Sequence, residues 1–271
     1  MPAIDPERLK IQVDRLLEVV SDPVALQRGC VELLDFYADR TQKSIATGEV
    51  DETYRAFGAP KPLMRALSFG LRSRLAQHPT SSFSAAAALW EAGYRETRAL
   101  ASAILGELDV EDVPDWAETW VLTCDDQIAV EELANQGLTN WRKADPTRFL
   151  GRVELWLGST QKKLQSFSLL ALMSAVEDPS FEDLPTVFRI LDGTTGTFDG
   201  ALFLVLSRLI NALSRRSPPE AVRFLMDELA HERESTRRLI RNTKENFPPR
   251  QRDLLERALS VKNQTGIIRK P

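Results

Sequence analysis

The sequence predicts an all-α protein, a right-handed α-solenoid of stacked antiparallel helical hairpins, and three observations carry that prediction. Apolar residues recur at helical spacing along nearly the whole chain, and no stretch shows the sustained alternation of a half-buried strand. Helix-breaking dipeptides recur as well: Asp145-Pro146, Asp178-Pro179, Ser217-Pro218 and Phe247-Pro248 lie 33, 39 and 30 residues apart. Each interval holds two helices and a turn, the spacing of a repeat array. The stretch "GALFLVLSRLINAL" (200–213) is apolar around most of a helix, as an interior helix of such a stack must be. One domain over 1–271 is expected, with residues 1–50 as a less regular N-terminal cap and 261–271 as a flexible tail.

The elements follow in order. "DPERLKIQVDRLLEVV" places Leu9, Val13, Leu16, Leu17 and Val20 on one helical face behind an acidic, proline-containing start. "KSIATGEVDET" (43–53) reads as a loop. Beyond Gly58 a helix puts Leu63, Leu67, Leu71 and Leu75 on one stripe. Leu89 and Trp90 end the next helix, and Gly93 fits the position after a helix, where positive φ carries no Cβ penalty. Glu96 and Arg98 then fall in the first turns of the following helix. Asp145 is the expected N-cap of a helix with Pro146 in its first turn, and Asp178-Pro179 is expected to repeat that start.

Composition narrows the function classes. The formal charge of −4 argues against a generally sticky nucleic-acid binder, but its distribution is uneven. Residues 107–134 hold ten Asp or Glu and no Lys or Arg, whereas 231–252 carries seven basic residues against three acidic. A local basic face binds phosphates even on an acidic protein. No apolar run approaches the ~20 residues of a membrane span. The start lacks the order of a signal peptide, and the two cysteines, Cys30 and Cys124, do not make a disulfide framework. A cytoplasmic location is the expectation. Two histidines, His78 and His231, without a Cys/His cluster point to no zinc site. No phosphate loop or serine elbow is present, so no cofactor or metal is expected. The Gly- and Thr-rich "DGTTGTFDG" (192–200) reads as an inter-helix turn rather than an anion site. Cys124 lies among acids, which disfavour a reactive thiolate.

Three stretches supply a sharper indication: "YRAFGAPKPLMRAL" (54–67), "LWEAGYRETRALASAIL" (89–105) and "TWVLTCDDQIAVEEL" (119–133) with the preceding Trp116. In order and spacing they resemble the DNA alkylation-repair family of HEAT-like-repeat proteins, the AlkD-like glycosylases, over roughly residues 50–250. The family's Asp-x-Trp-Asp-x-x-Asp pattern falls on 125–131. That puts Asp125 on its first Asp, Gln127 on its Trp, Ile128 on its second Asp and Glu131 on its last. The resemblance implies that the last carboxylate serves catalysis and that the Trp packs against the damaged nucleotide. It also implies a second aromatic in a Trp-Ala-Leu-Arg stretch, where this chain has "RLIN", with Arg208 for the Trp and Asn211 for the Arg. Both aromatic walls are therefore missing, and the catalytic motif is degenerate.

Two sets of candidate residues result. Asp125 and Glu131 are the catalytic candidates, set against their alternative as part of a solvated acidic face. The DNA-binding candidates are Arg208, Arg215, Arg216, Arg237, Arg238, Arg241 and Lys244, with Arg148 and Arg152 from a second group that also includes Arg142, Lys143, Lys162 and Lys163. In a stack of repeats, equivalent positions line one surface, so these groups make a candidate track for duplex phosphates. The expected function is DNA binding by backbone and shape, without a sequence-reading helix and with little or no base excision. A protein-binding solenoid and an excision enzyme using Glu131 are the alternatives. DNA is the expected partner, a protein the alternative one, and no membrane is implicated.

Overall fold

The computed structural model describes residues 5–38, 55–76, 79–108, 111–194, 198 and 200–265. The fold is all-α. Its described residues form two compact units, Met1–Pro146 and Thr147–Pro271. The 43–53 loop and His78 lie outside the described residues, as do 266–271 of the expected tail; residues 261–265 continue the last helix. No described helix is long and apolar enough to cross a membrane.

The first unit contains α1 (Pro6–Glu18), α2 (Pro23–Phe36), α3 (Lys61–Leu75), α4 (Pro79–Glu91), α5 (Arg95–Leu105), α6 (Val113–Thr123), α7 (Gln127–Glu132) and α8 (Thr139–Ala144). A π-helical turn, Leu133–Gly137, joins α7 to α8. Packing sorts these helices into two rows. Helices α1, α3, α5 and α7 pack on one another in sequence, and α2 packs on α4. Helix α6 joins the second row through Trp90–Trp120, stacked at 4.6 Å, and Phe83–Trp116 at 4.2 Å.

The second unit contains α9 (Pro146–Leu157), α10 (Lys162–Glu177), α11 (Leu184–Leu191), α12 (Gly200–Arg216), α13 (Pro218–Ala230), α14 (Glu234–Thr243) and α15 (Pro249–Thr265), with a 3-10 turn at Lys244–Asn246. Here α10, α12 and α14 form one row, and α13 packs on α15 in the other. Helix α11 joins that second row through Phe188–Phe224, at 5.6 Å, and is tied to α9 by Arg189 and Glu154. Helices two apart therefore stack in each unit, as a pile of hairpins requires. Hydrogen bonds between them recur at a sequence separation of 35: Arg72 to Glu107, Arg189 to Glu154, Gly193 to Glu228, and Asn246 to Asn211.

Local sequence explains the elements. Asp5 and Asp22 each accept two backbone N–H bonds at the start of a helix whose first residue is proline, the arrangement those residues favour. The Leu63, Leu67, Leu71 and Leu75 stripe is buried as expected, as are Leu9, Val13, Leu16 and Val20. Each such leucine contributes about 1.5–3 kcal/mol by leaving water. Gly93 has φ +78°, in the region a side chain resists. Gly106 is required for a different reason: a Cβ there would collide with the Gln136 carbonyl of the π turn. One expected start moves. The helix does not begin at Asp178-Pro179, where the Asp178 carboxylate instead accepts from the Ser180 N–H and hydroxyl and closes a turn. It begins five residues later, where Asp183 caps α11 through the Thr186 N–H and Pro185 fills the first turn.

Candidate functional site

The 125–131 segment sits at the start of α7, and its carboxylates have different surroundings. Asp125 is exposed in the connection between α6 and α7. Asp126 is only 2 % exposed. It accepts the Ile128 N–H as the N-cap of α7, and both carboxylate oxygens meet Arg95, at 3.0 Å to Nε and 3.3 Å to Nη2. Two-pronged charge-assisted bonds of this kind fix orientation as well as energy, so Asp126 pins the start of α7 to α5. Glu131 is half-buried near the end of α7, just ahead of the π-helical turn, and it is not isolated, nor is Asp125. Gln127 and Ile128, at two of the pattern's positions, are exposed, Ile128 at 51 %.

Glu96 is the second carboxylate with a built environment in the first unit. It is buried and accepts backbone N–H groups from Phe57 (3.0 and 3.1 Å), Gly58 (2.7 Å) and Ala59 (3.2 Å). Successive amides converging on one anion form a nest. The Phe57 and Tyr94 rings stack over the same junction at 4.3 Å, and Arg95 N–H donates to the Arg55 carbonyl. Glu96 thus ties the segment before α3 to the first turn of α5. Sequence reasoning placed it on the scaffold but did not find its partners; Gly58, with φ +66°, was the available signal. Arg98 lies over Trp90 at 5.4 Å, so the arginine of that stretch also serves the packed face.

The basic candidates divide. Along α12, Leu204, Arg208 and Arg215 are exposed at helical spacing, with half-buried Asn211 between the arginines. On α14, Arg238 and Arg241 are exposed. These two helices are neighbours in one row, and the fit is direct. The Arg238 guanidinium lies 4.5 Å above the Phe203 ring, and Asn246 Nδ2 donates to Asn211 Oδ1 at 2.9 Å. The structure therefore brings Arg208, Arg215, Arg238 and Arg241 onto adjoining helices. It does not bring Arg148 and Arg152 there: both are on α9, in contact with the other row, with Arg152 5.8 Å from the Trp156 ring. Arg216 turns aside to donate to the carbonyls of Pro179 (2.7 Å) and Phe181 (3.0 Å), bracing the turn before α11. Arg237 is half-buried, and Arg142, in the first unit, is buried at 5 % exposure.

Several candidates already have acidic partners at the surface. Arg215 pairs with Glu177 at 3.3 Å, Arg241 with Glu234 at 2.9 Å, and Lys244 with Glu256 at 2.6 Å and Glu245 at 3.5 Å. The hydrogen bond to Glu256 raises the Lys244 pKa. Exposed pairs of this kind contribute about 0–1 kcal/mol each, so the exposed arginines can exchange a carboxylate for a phosphate at small cost. Elsewhere, both cysteines are buried outside any disulfide, Cys124 Sγ donates to the Asp126 carbonyl at 3.7 Å, and burial pushes the Cys30 pKa up to about 12. The Gly193 N–H of the 192–200 turn is taken by the buried Glu228 carboxylate at 2.7 Å.

Each unit stacks its helices in two rows; the first holds the carboxylate-capped helix α7, and the second holds the arginine-bearing pair α12–α14. The family described as DNA alkylation repair enzyme matches residues 32–247. That is most of the chain, and the chain belongs to this family. Among the curated proteins and the solved structures compared with it, none matches.

Proposed function

We propose that this chain binds duplex or structured DNA through α12 and α14, by phosphate and shape contacts, with little or no base-excision activity. The reading rests on the DNA-repair family together with one observation: Arg208, exposed on α12, stands where the resemblance implies an aromatic wall. Excision of a cationic alkylated purine develops positive charge on the base and an oxocarbenium-like sugar. Aromatic faces and a carboxylate stabilise that charge, each cation–π contact by about 0.5–2 kcal/mol. Gln127 supplies no aromatic face at the other wall. A guanidinium in place of the second wall opposes the developing charge and attracts phosphate instead. The same substitution that weakens catalysis therefore favours backbone binding.

The test uses fluorescence anisotropy with a labelled duplex, and release of free base from a duplex carrying N7-methylguanine. The expected result is salt-sensitive binding, no base release above the uncatalysed rate, and loss of affinity in the triple variant Arg208→Ala, Arg238→Ala, Arg241→Ala. Enzymatic base release that disappears in Glu131→Gln would instead support the excision reading. Weak binding that the triple variant leaves unchanged would favour a protein-binding role, for which the acidic 107–134 stretch is the supporting feature.

A further inference from the structure

The row opposite to α12 and α14 in the second unit carries a groove between α11 and α13 that the DNA reading does not use. Its volume is about 730 Å³, within the usual range for ligand clefts. Leu184, Pro185, Phe188 and Phe224 supply its apolar surface, with the two rings 5.6 Å apart and tilted by 40°. Glu182, Asp192, Glu220 and Asp227 also line it, against only two arginines, Arg189 and Arg223. Those arginines are committed. Arg189 makes two bonds to Glu154, at 2.7 and 2.8 Å, and Arg223 pairs with Asp227 one turn along its own helix at 3.9 Å. Glu182, Asp192 and Glu220 have no ion-pair partner among the described residues, and all three are exposed. The groove thus combines an aromatic floor with a rim of four carboxylates against two arginines.

We infer that this groove docks an arginine-containing cationic peptide segment of a partner protein. A guanidinium is the group that satisfies both features at once. Its planar face lies on the half-buried Phe188 ring, which is backed by Phe224, and its N–H fork reaches carboxylates. Phosphate-bearing ligands are repelled by the same rim, so the groove is suited to a partner other than the nucleic acid assigned to α12 and α14. A DNA-binding chain with this second face would bring a basic protein partner to the bound duplex.

The probe is a capped, labelled pentapeptide with one tryptophan between two pairs of arginines, titrated with the full chain; a glutamate-for-arginine peptide is the control. The cationic peptide is expected to bind and the acidic one not. Combining Glu182→Gln, Asp192→Asn and Glu220→Gln should weaken binding by about ten-fold, as loss of charge complementarity at an exposed rim does. These surface changes should leave the helices intact, as checked by circular dichroism. Phe188→Ser should weaken binding independently, without altering its salt dependence. Equal binding of the two peptides, or cationic binding insensitive to both sets of substitutions, overturns the inference. Because none of these residues lies on α12 or α14, failure here leaves duplex binding intact, and failure of duplex binding leaves the peptide result intact.

Discussion

In the first unit two buried carboxylates turn inward, Glu96 onto three backbone amides and Asp126 onto Arg95, whereas in the second unit Arg215 of α12 and Arg241 of α14 stay exposed with surface acids as their partners. The contrast separates charge that builds a fold from charge that is available to a ligand. An acidic stretch with a family-like spacing is not thereby a catalytic site, because its most buried member caps a helix. A set of arginines is not thereby a track, because Arg216 holds two loop carbonyls while Arg208 and Arg238 face outward.

Substitutions sharpen the contrast, beginning with the largest effect. Glu96→Ala leaves three amides without their charged acceptor, and hydrogen bonds to a charged group contribute about 1.5–3 kcal/mol each. Urea unfolding should show a loss of about 3 kcal/mol or more, and a loss below about 1 kcal/mol would remove the scaffold role. Asp126→Ala removes a cap and leaves Arg95 without its carboxylate, with an expected cost of about 2–4 kcal/mol. Asp125→Ala, one residue earlier and exposed, should fall within about 1 kcal/mol of the parent. If the two aspartates behave alike, the inward–outward distinction fails at this position.

Smaller effects are expected at the surface of the second unit. Glu154 is held below the usual carboxylate range by its hydrogen bonds from Arg189. A depressed carboxyl pKa contributes stability above the unfolded-state value, and that contribution is lost as pH falls through the folded-state value. Acid titration of unfolding should therefore show a small extra loss in the parent that is absent in Glu154→Gln. In the first unit, Cys30 is held as a thiol up to about pH 12 by burial. It should resist iodoacetamide in the folded chain at pH 8 and react after denaturation, as followed by mass spectrometry.

How much of this was legible in the sequence depended on range. The leucine stripe of α3, the proline-marked starts of α1 and α2, and the left-handed Gly93 are set by neighbours within a turn or two, and each is visible in the residue string. The start of α11 differs because Asp178-Pro179 and Asp183-Leu184-Pro185 both carry helix-start chemistry, and the Ser180 contacts, braced by Arg216 from 37 residues away, turn the first into a bend. The nest around Glu96 joins residues separated by 37 to 39 positions, so no local pattern announces it. The choice between Asp125 and Asp126 depended on Arg95, and the sorting of arginines depended on the row to which each helix belongs. Arg148 and Arg208 look equivalent as letters, but α9 and α12 pack on different neighbours.

The central claim is that outward arginines of α12 and α14 engage duplex phosphates, and a salt titration of duplex affinity tests it most directly. With three phosphate contacts removed by Arg208→Ala, Arg238→Ala and Arg241→Ala, the slope of log affinity against log salt should flatten by roughly 2.7, about 0.9 for each contact. Parallel slopes for the parent and the variant, with both folded, would contradict the account.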